Sequence, residues 1–195
     1  MIAYLEGPLT FKSPAYVIVE TAGVGYQVHI SLHTWSAIQS LDKCRLYTHL
    51  HIQENAHSLY GFHTPEEKEL FVQMISVSGV GPSTGRMILS TLSPDEAVQA
   101  IVEENETLIR SVKGIGPKSA KRLILELKDK VKANQQVSSG LSTPGHNTMQ
   151  EEALSALVLL GFSRAASEKA IAKALADQPI LSSVEELIKS ALKNL

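Results

Sequence analysis

One cysteine, Cys44, in 195 residues excludes an internal disulfide and any cysteine-built zinc site. A reducing cytoplasm is the compartment to expect. No apolar run is long enough to span a membrane. The opening Met1-Ile2-Ala3-Tyr4-Leu5-Glu6 has no basic stretch followed by an apolar one, so no signal peptide is expected. No Gly-x-x-x-x-Gly-Lys-Ser/Thr occurs, which removes the nucleotide P-loop. Gly79, Gly81 and Gly85 miss the dinucleotide spacing by one residue, and Met74-Ile75-Ser76-Val77 before them reads as a helix end, not a strand. An overall basic character is missing too: the formal net charge is −2. The 44% hydrophobic content fits a soluble globular protein of one domain or a few small ones.

What is present is one glycine hairpin written twice. Ser78-Gly79-Val80-Gly81-Pro82-Ser83 aligns with Lys113-Gly114-Ile115-Gly116-Pro117-Lys118, and each copy leads into a helical apolar run. Two glycines around one apolar residue allow a tight turn with positive φ, pinned to the core by Val80 or Ile115. Pro82 and Pro117 suit a first helical turn, where no N–H partner is needed. The unpaired N–H groups at such a helix start form an anion site. Gly-x-Gly after a helix is also an ordinary C-cap. Its repetition in frame, with the same flanking residues, points instead to a module that grips phosphate backbone at two places without reading bases.

The charges are unevenly placed. Residues 63–109 hold two Lys and Arg against eight acids, whereas 110–132 hold eight against two. The basic block comprises Arg110, Lys113, Lys118, Lys121, Arg122, Lys128, Lys130 and Lys132. A basic block is often a solvated helix face, but this one lies on a suspected phosphate-binding hairpin.

Three segments and a linker follow along the chain, an α+β multidomain layout. Residues 1–63 read as an oligonucleotide-binding-like barrel of five short strands. Among them are Ala15–Glu20, Tyr26–Ile30, Cys44–Ile52 and Leu59–Phe62, with Gly23-Val24-Gly25 as a hairpin turn. Residues 64–133 read as a double helix-hairpin-helix domain. Thr64-Pro65-Glu66-Glu67 and Ser93-Pro94-Asp95-Glu96 are helix N-termini, and Leu123, Ile124 and Leu127 are core positions. Residues 134–148, rich in Ser, Thr and Gly, read as a flexible linker. Residues 149–195 read as three short helices, broken at Gly161-Phe162-Ser163. The third is capped by Ser182-Ser183-Val184-Glu185. A bundle this small has a marginal core and is more often a docking module than an enzyme.

This order of barrel, double hairpin, linker and UBA-like three-helix tail resembles the RuvA family of Holliday-junction-binding proteins over the whole chain. The words that carry the resemblance are Met1-Ile2 with Leu5-Glu6-Gly7, Gly23-Val24-Gly25-Tyr26, Leu59-Tyr60-Gly61-Phe62, Gly79-Val80-Gly81-Pro82, Gly114-Ile115-Gly116, and Ala153-Leu154 through Leu160-Gly161-Phe162. The resemblance implies a homotetramer, single or as two stacked tetramers, that holds a four-way junction open. It implies a tail that recruits the hexameric RuvB ATPase, with RuvC resolvase cutting the junction afterwards. Backbone binding is then expected from the N–H donors around Gly79, Gly81, Gly114 and Gly116. Lys118 and Arg122 match the family's basic positions, and Lys113 and Lys121 are local additions. Ser83 stands where the family commonly has Lys, with Arg86 one turn on as the compensating cation. The family's acidic pin falls on Glu54 and Asn55, with one carboxylate where two are usual. Leu157, Leu160 and Phe162 are expected in the tail's small core, or in its motor-docking surface where exposed.

Neither cofactor nor metal is expected. His49, His51, His57 and His63 are unaccompanied by arranged carboxylates or thiols. An intrinsic glycosylase or nuclease would want a placed Asp or Lys, or converging carboxylates. Glu66, Glu67, Glu69 and Glu103, Glu104, Glu106 instead occupy helix starts and polar faces. The remaining alternative is a general duplex binder without preference for branched DNA. The role the resemblance implies is a non-catalytic subunit of an ATP-driven DNA helicase complex, cytoplasmic and acting at the nucleoid in recombination, repair and the DNA damage response.

Overall fold

The computed structural model describes residues 1–139, 147–177 and 183–195. They form two compact units, Met1–Ser138 and Ser139–Leu195.

Strands β1 (Tyr4–Lys12), β2 (Tyr16–Thr21), β3 (Val24–Ile30), β4 (Lys43–Gln53) and β5 (Ala56–Phe62) close a barrel in the order β1-β2-β3-β5-β4. All neighbours are antiparallel except β3 and β5. Alternation sends Leu5, Leu9, Val17, Val19, Val28, Ile30 and Leu46 inward. Cys44 shares that interior, and burial pushes its thiol up to about 11. The β2–β3 turn falls on Ala22 and Gly23, with φ of 51° and 81°, one residue before the expected Gly23-Val24-Gly25. Val24 already pairs with Thr21, because a two-residue turn with both φ positive matches the strand twist. A short helix that sequence periodicity did not reveal, α1 (Leu32–Ile38), leaves β3 and places Ile38 in the barrel core.

The helices of the first unit are α2 (Pro65–Ile75), α3 (Pro82–Thr91), α4 (Pro94–Val102), α5 (Glu106–Ser111) and α6 (Pro117–Ser139). Thr64 caps α2 and Ser93 caps α4, both helix starts as read from the sequence, and Glu96 completes a capping box with Ser93. Leu123, Ile124 and Leu127 are buried as expected. The barrel and the helices share core: Phe71 of α2 lies 4.8 Å, ring to ring, from Phe62 and 5.2 Å from Tyr60 of β5. Because α6 runs to Ser139, the first six residues of the expected linker are helical. The part of that linker spanning 140–146 lies outside the described residues.

The second unit holds α7 (Asn147–Leu159), α8 (Arg164–Asp177) and α9 (Val184–Leu192). Its core is small and alanine-rich: Ala153, Leu157, Ala170, Ile171, Ala174, Leu187 and Ala191. Gly161, at φ 101°, breaks α7 from α8. The cap of α9 is Ser183, accepting from the Glu186 N–H at 3.2 Å, one residue beyond the Ser182–Glu185 box expected. Ser182 itself lies outside the described residues. Among the described residues, no helix is long and apolar enough to cross a membrane.

Candidate nucleic-acid interface

The two hairpins match hydrogen bond for hydrogen bond. Val80 N–H donates to the Val77 carbonyl at 3.0 Å, and Ile115 N–H to Val112 at 3.2 Å. Gly85 N–H donates to Gly81 at 2.9 Å, and Ala120 N–H to Gly116 at 3.0 Å. Val80 and Ile115 are buried and hold the turns down. The glycines of each pair differ in purpose. Gly79 and Gly114 take φ of 90° and 94°, which only glycine adopts cheaply. Gly81 has φ −86°, and a Cβ built on either Gly81 or Gly116 would meet nothing within 4 Å. Both second glycines therefore leave the space before a helix N-terminus clear. Side chains cap α2, α4, α5 and α9, but none caps α3, and Gly116 has no side chain with which to cap α6. The first N–H groups of α3 and α6 are open to an anion.

The hairpins also touch. Arg122 Nη1 donates to the Ser78 carbonyl at 3.3 Å, and a Cβ on Gly79 would lie 3.8 Å from Ser119 Oγ. Ser119 does not stand out in the sequence, and Ser78 does so only as part of the first hairpin, since their partners are some forty residues away. Arg122 is further paired with Glu126 at 3.8 Å. Lys113, Lys118 and Lys121 are exposed and make no ion pair among the described residues. Arg110 faces Glu106 at 4.0 Å, and Lys128 pairs with Glu104. Three free ammonium groups thus surround the second hairpin.

The first hairpin is different. Ser83 is exposed and uncharged. Arg86, expected to compensate for it, donates from Nη1 to the Ala15 carbonyl of the barrel at 2.9 Å. It also lies close enough to His29 to help burial hold that imidazole below its ordinary pKa. Arg86 ties α3 to the barrel through one N–H and is the single cation on α3, whose other polar side chains are neutral.

Glu54 and Asn55 are the exposed two-residue turn joining β4 to β5. The pairing of β5 with β3 starts only at Leu59, so residues 56–58 pair with β4 alone. The turn therefore tips a two-stranded ribbon extending beyond the barrel ladder, with Ile52 opposite His57 beneath it.

In the tail, Leu157 is fully buried and belongs to the core, not to a docking surface. Leu160 and Phe162 are 61% and 37% exposed, and neighbouring Leu159 is 87% exposed. The clue to Leu159 was the unbroken Val158-Leu159-Leu160 run, since one helix face cannot bury three consecutive residues.

The carboxylate clusters do not converge. Glu67 is buried against hydroxyls, while Glu104 and Glu106 pair with Lys128 and Arg110. Among the described residues no group of three or more His, Cys, Asp or Glu could hold a metal. His49 packs its ring 5.8 Å from Phe71, and burial, with His51 and Lys68 nearby, lowers its pKa.

Comparison with known proteins places the whole layout. Residues 1–61 match the RuvA N terminal domain, 71–129 the SAM-like helix-hairpin-helix tandem, and 148–195 the RuvA C-terminal domain. The chain belongs to the RuvA family. A relative from Christiangramia forsetii is 48% identical over 198 residues, covering all of both chains. One from Cytophaga hutchinsonii is 44% identical over 197 residues and 99% of each chain. One from Bacteroides fragilis is 46% identical over 202 residues, again end to end. All three are named Holliday junction branch migration complex subunit RuvA. The match runs through barrel, hairpins and tail alike.

Proposed function

We propose that this chain binds four-way DNA junctions by their backbone, independently of sequence, as the non-catalytic subunit of a branch migration complex. The observation that carries the reading is the pair of open helix N-termini at Gly81 and Gly116, linked through Arg122 and flanked by Lys113, Lys118 and Lys121. Donors of this kind recognise phosphate, and paired sites on one rigid module fix a duplex arm in orientation. Four copies would grip four arms, with the Glu54–Asn55 ribbons at the centre keeping phosphates of neighbouring arms apart. The exposed Leu159, Leu160 and Phe162 would dock the RuvB hexameric ATPase, which supplies the motor. Such a complex, single or doubled, would act on junctions in the cytoplasm at the nucleoid and then hand them to RuvC.

The deciding experiment compares binding to a synthetic four-way junction and to linear duplex of matched sequence across several salt concentrations, without ATP or metal. A marked junction preference with a steep salt slope is the expected result. Equal affinity for both would make the chain a general duplex binder.

A further inference from the structure

The one charged side chain fully buried among the described residues is not in the hairpins or the ribbon. Glu67, at the third position of α2, has no exposed surface. Its Oε1 accepts from Ser31 Oγ at 2.6 Å, and its Oε2 accepts from Thr34 Oγ1 at 2.7 Å and His63 N–H at 3.4 Å. Ser31 and Thr34 are the cap and third residue of α1, whose far end seats Ile38 in the barrel. The Glu67 carboxylate therefore lies at the N-termini of α1 and α2 together, where both helix dipoles favour a negative charge. It joins the barrel to the hairpin module beside their covalent connection, which is only His63 and Thr64.

The other polar ties across this junction are lone bonds: Arg86 to Ala15, the Leu32 N–H to Ser90 Oγ at 3.0 Å, and Lys68 Nζ to the Ala3 carbonyl at 3.4 Å. A solvated tie tolerates a change of angle, because water replaces what is lost. A buried carboxylate does not, since any rotation that parts it from its donors leaves a charge unpaired in the interior. Beside the shared Phe62–Phe71 core, the buried group thus penalises any angle between the modules that parts it from its donors.

We propose that Glu67, with Ser31 and Thr34, is a positioning lock that sets the ribbon tip at Glu54–Asn55 relative to the two hairpins. It thereby supplies junction selectivity without touching DNA. The selectivity half of this proposal rests on the junction-binding reading above; the lock itself does not.

The test uses the full chain with Thr34→Val, which removes the hydroxyl at constant volume, and Thr34→Ser, which keeps it. Glu67→Gln is a second route to the same loss. Spin labels at Asn55→Cys and Thr107→Cys in a Cys44→Ala background, diluted in unlabelled chain, report the ribbon-to-hairpin distance. The expected result is one narrow distance for the parent and Thr34→Ser, and a broadened distribution for Thr34→Val and Glu67→Gln. If the aligned arrangement falls to about a tenth of molecules, junction affinity falls about tenfold while duplex affinity stays within about twofold. Unchanged distances in folded Thr34→Val and Glu67→Gln would overturn the lock. Parallel loss of junction and duplex affinity would overturn its role in selectivity. A parent with no junction preference would sink the junction reading alone, leaving the distances to decide the lock.

Discussion

Arg122 reaches back across 3.3 Å to the Ser78 carbonyl, so the helix of the second hairpin holds the turn of the first. Lys118, one turn before it, is exposed and unpaired among the described residues. Substituting the two should therefore separate charge from geometry. Lys118→Ala is expected to shallow the salt dependence of DNA binding by about one phosphate contact on every sequence, with an unchanged melting temperature. Arg122→Ala should shallow it as well, and should also speed hydrogen exchange in the turn around Gly79. A Lys118→Ala slope equal to the parent's would show that this lysine does not meet phosphate.

The two glycines of each hairpin should respond in opposite ways to a methyl group. Gly79→Ala and Gly114→Ala force alanine to φ near 90° and should each cost about 1–2 kcal/mol in unfolding free energy, read by denaturant titration. Gly81→Ala and Gly116→Ala face neither strain nor a clash, so both should fold normally. Their deficit should be confined to DNA affinity, because the methyl occupies the approach to the open N–H groups.

At the ribbon tip, Glu54→Gln removes the single carboxylate of the turn. Preference for junction over duplex should fall by about two- to fivefold, the worth of one exposed charge contact, while duplex affinity holds. Asn55→Asp should move the preference the other way. Competition binding with the two DNAs measures both.

Stability should rise with pH near neutrality. Burial, helped by Arg86, lowers the pKa of His29; burial, helped by His51 and Lys68, lowers that of His49. Both imidazoles take up a proton more readily in the unfolded chain, whose value lies near the ordinary 6.5. Their contribution is complete above that value and is lost as pH falls from there through the folded values. The melting temperature should therefore drop between pH 7.5 and 5.5, and His49→Gln should flatten the drop. A parent curve flat across that window would contradict the linkage.

A chain ending at Ser139 retains the cores of both barrel and hairpins. It should bind junctions as the full chain does and fail to support branch migration by the ATPase. Normal migration with that truncation would remove the docking role from the tail.

Much of this molecule was legible before its structure because its signals are local. The Gly-x-Gly pairs, the Thr64 and Ser93 caps and the Leu123-Ile124-Leu127 stripe each declare themselves within a few residues. What escaped depends on distant partners. Glu67 reads as one more acid in a first turn, and only Ser31 and Thr34, more than thirty residues earlier, make it a buried lock. Arg86 reads as a phosphate ligand, and nothing near it in sequence shows that it also bonds the Ala15 carbonyl of the barrel. Leu157 and Leu159 are the same residue type two positions apart, and only packing against α8 and α9 assigns one to the core and the other to solvent.

The hairpin donors at Gly81 and Gly116 belong to the main chain, and that has a kinetic consequence. A peptide N–H holds a phosphate with equal strength whatever base the sugar carries. If these donors hold phosphate as proposed, a duplex turning past them along its own screw would meet the same contacts at each base-pair step, with no wells set by base identity. A motor pulling DNA through such a bearing would meet drag set by salt and not by the identity of the bases.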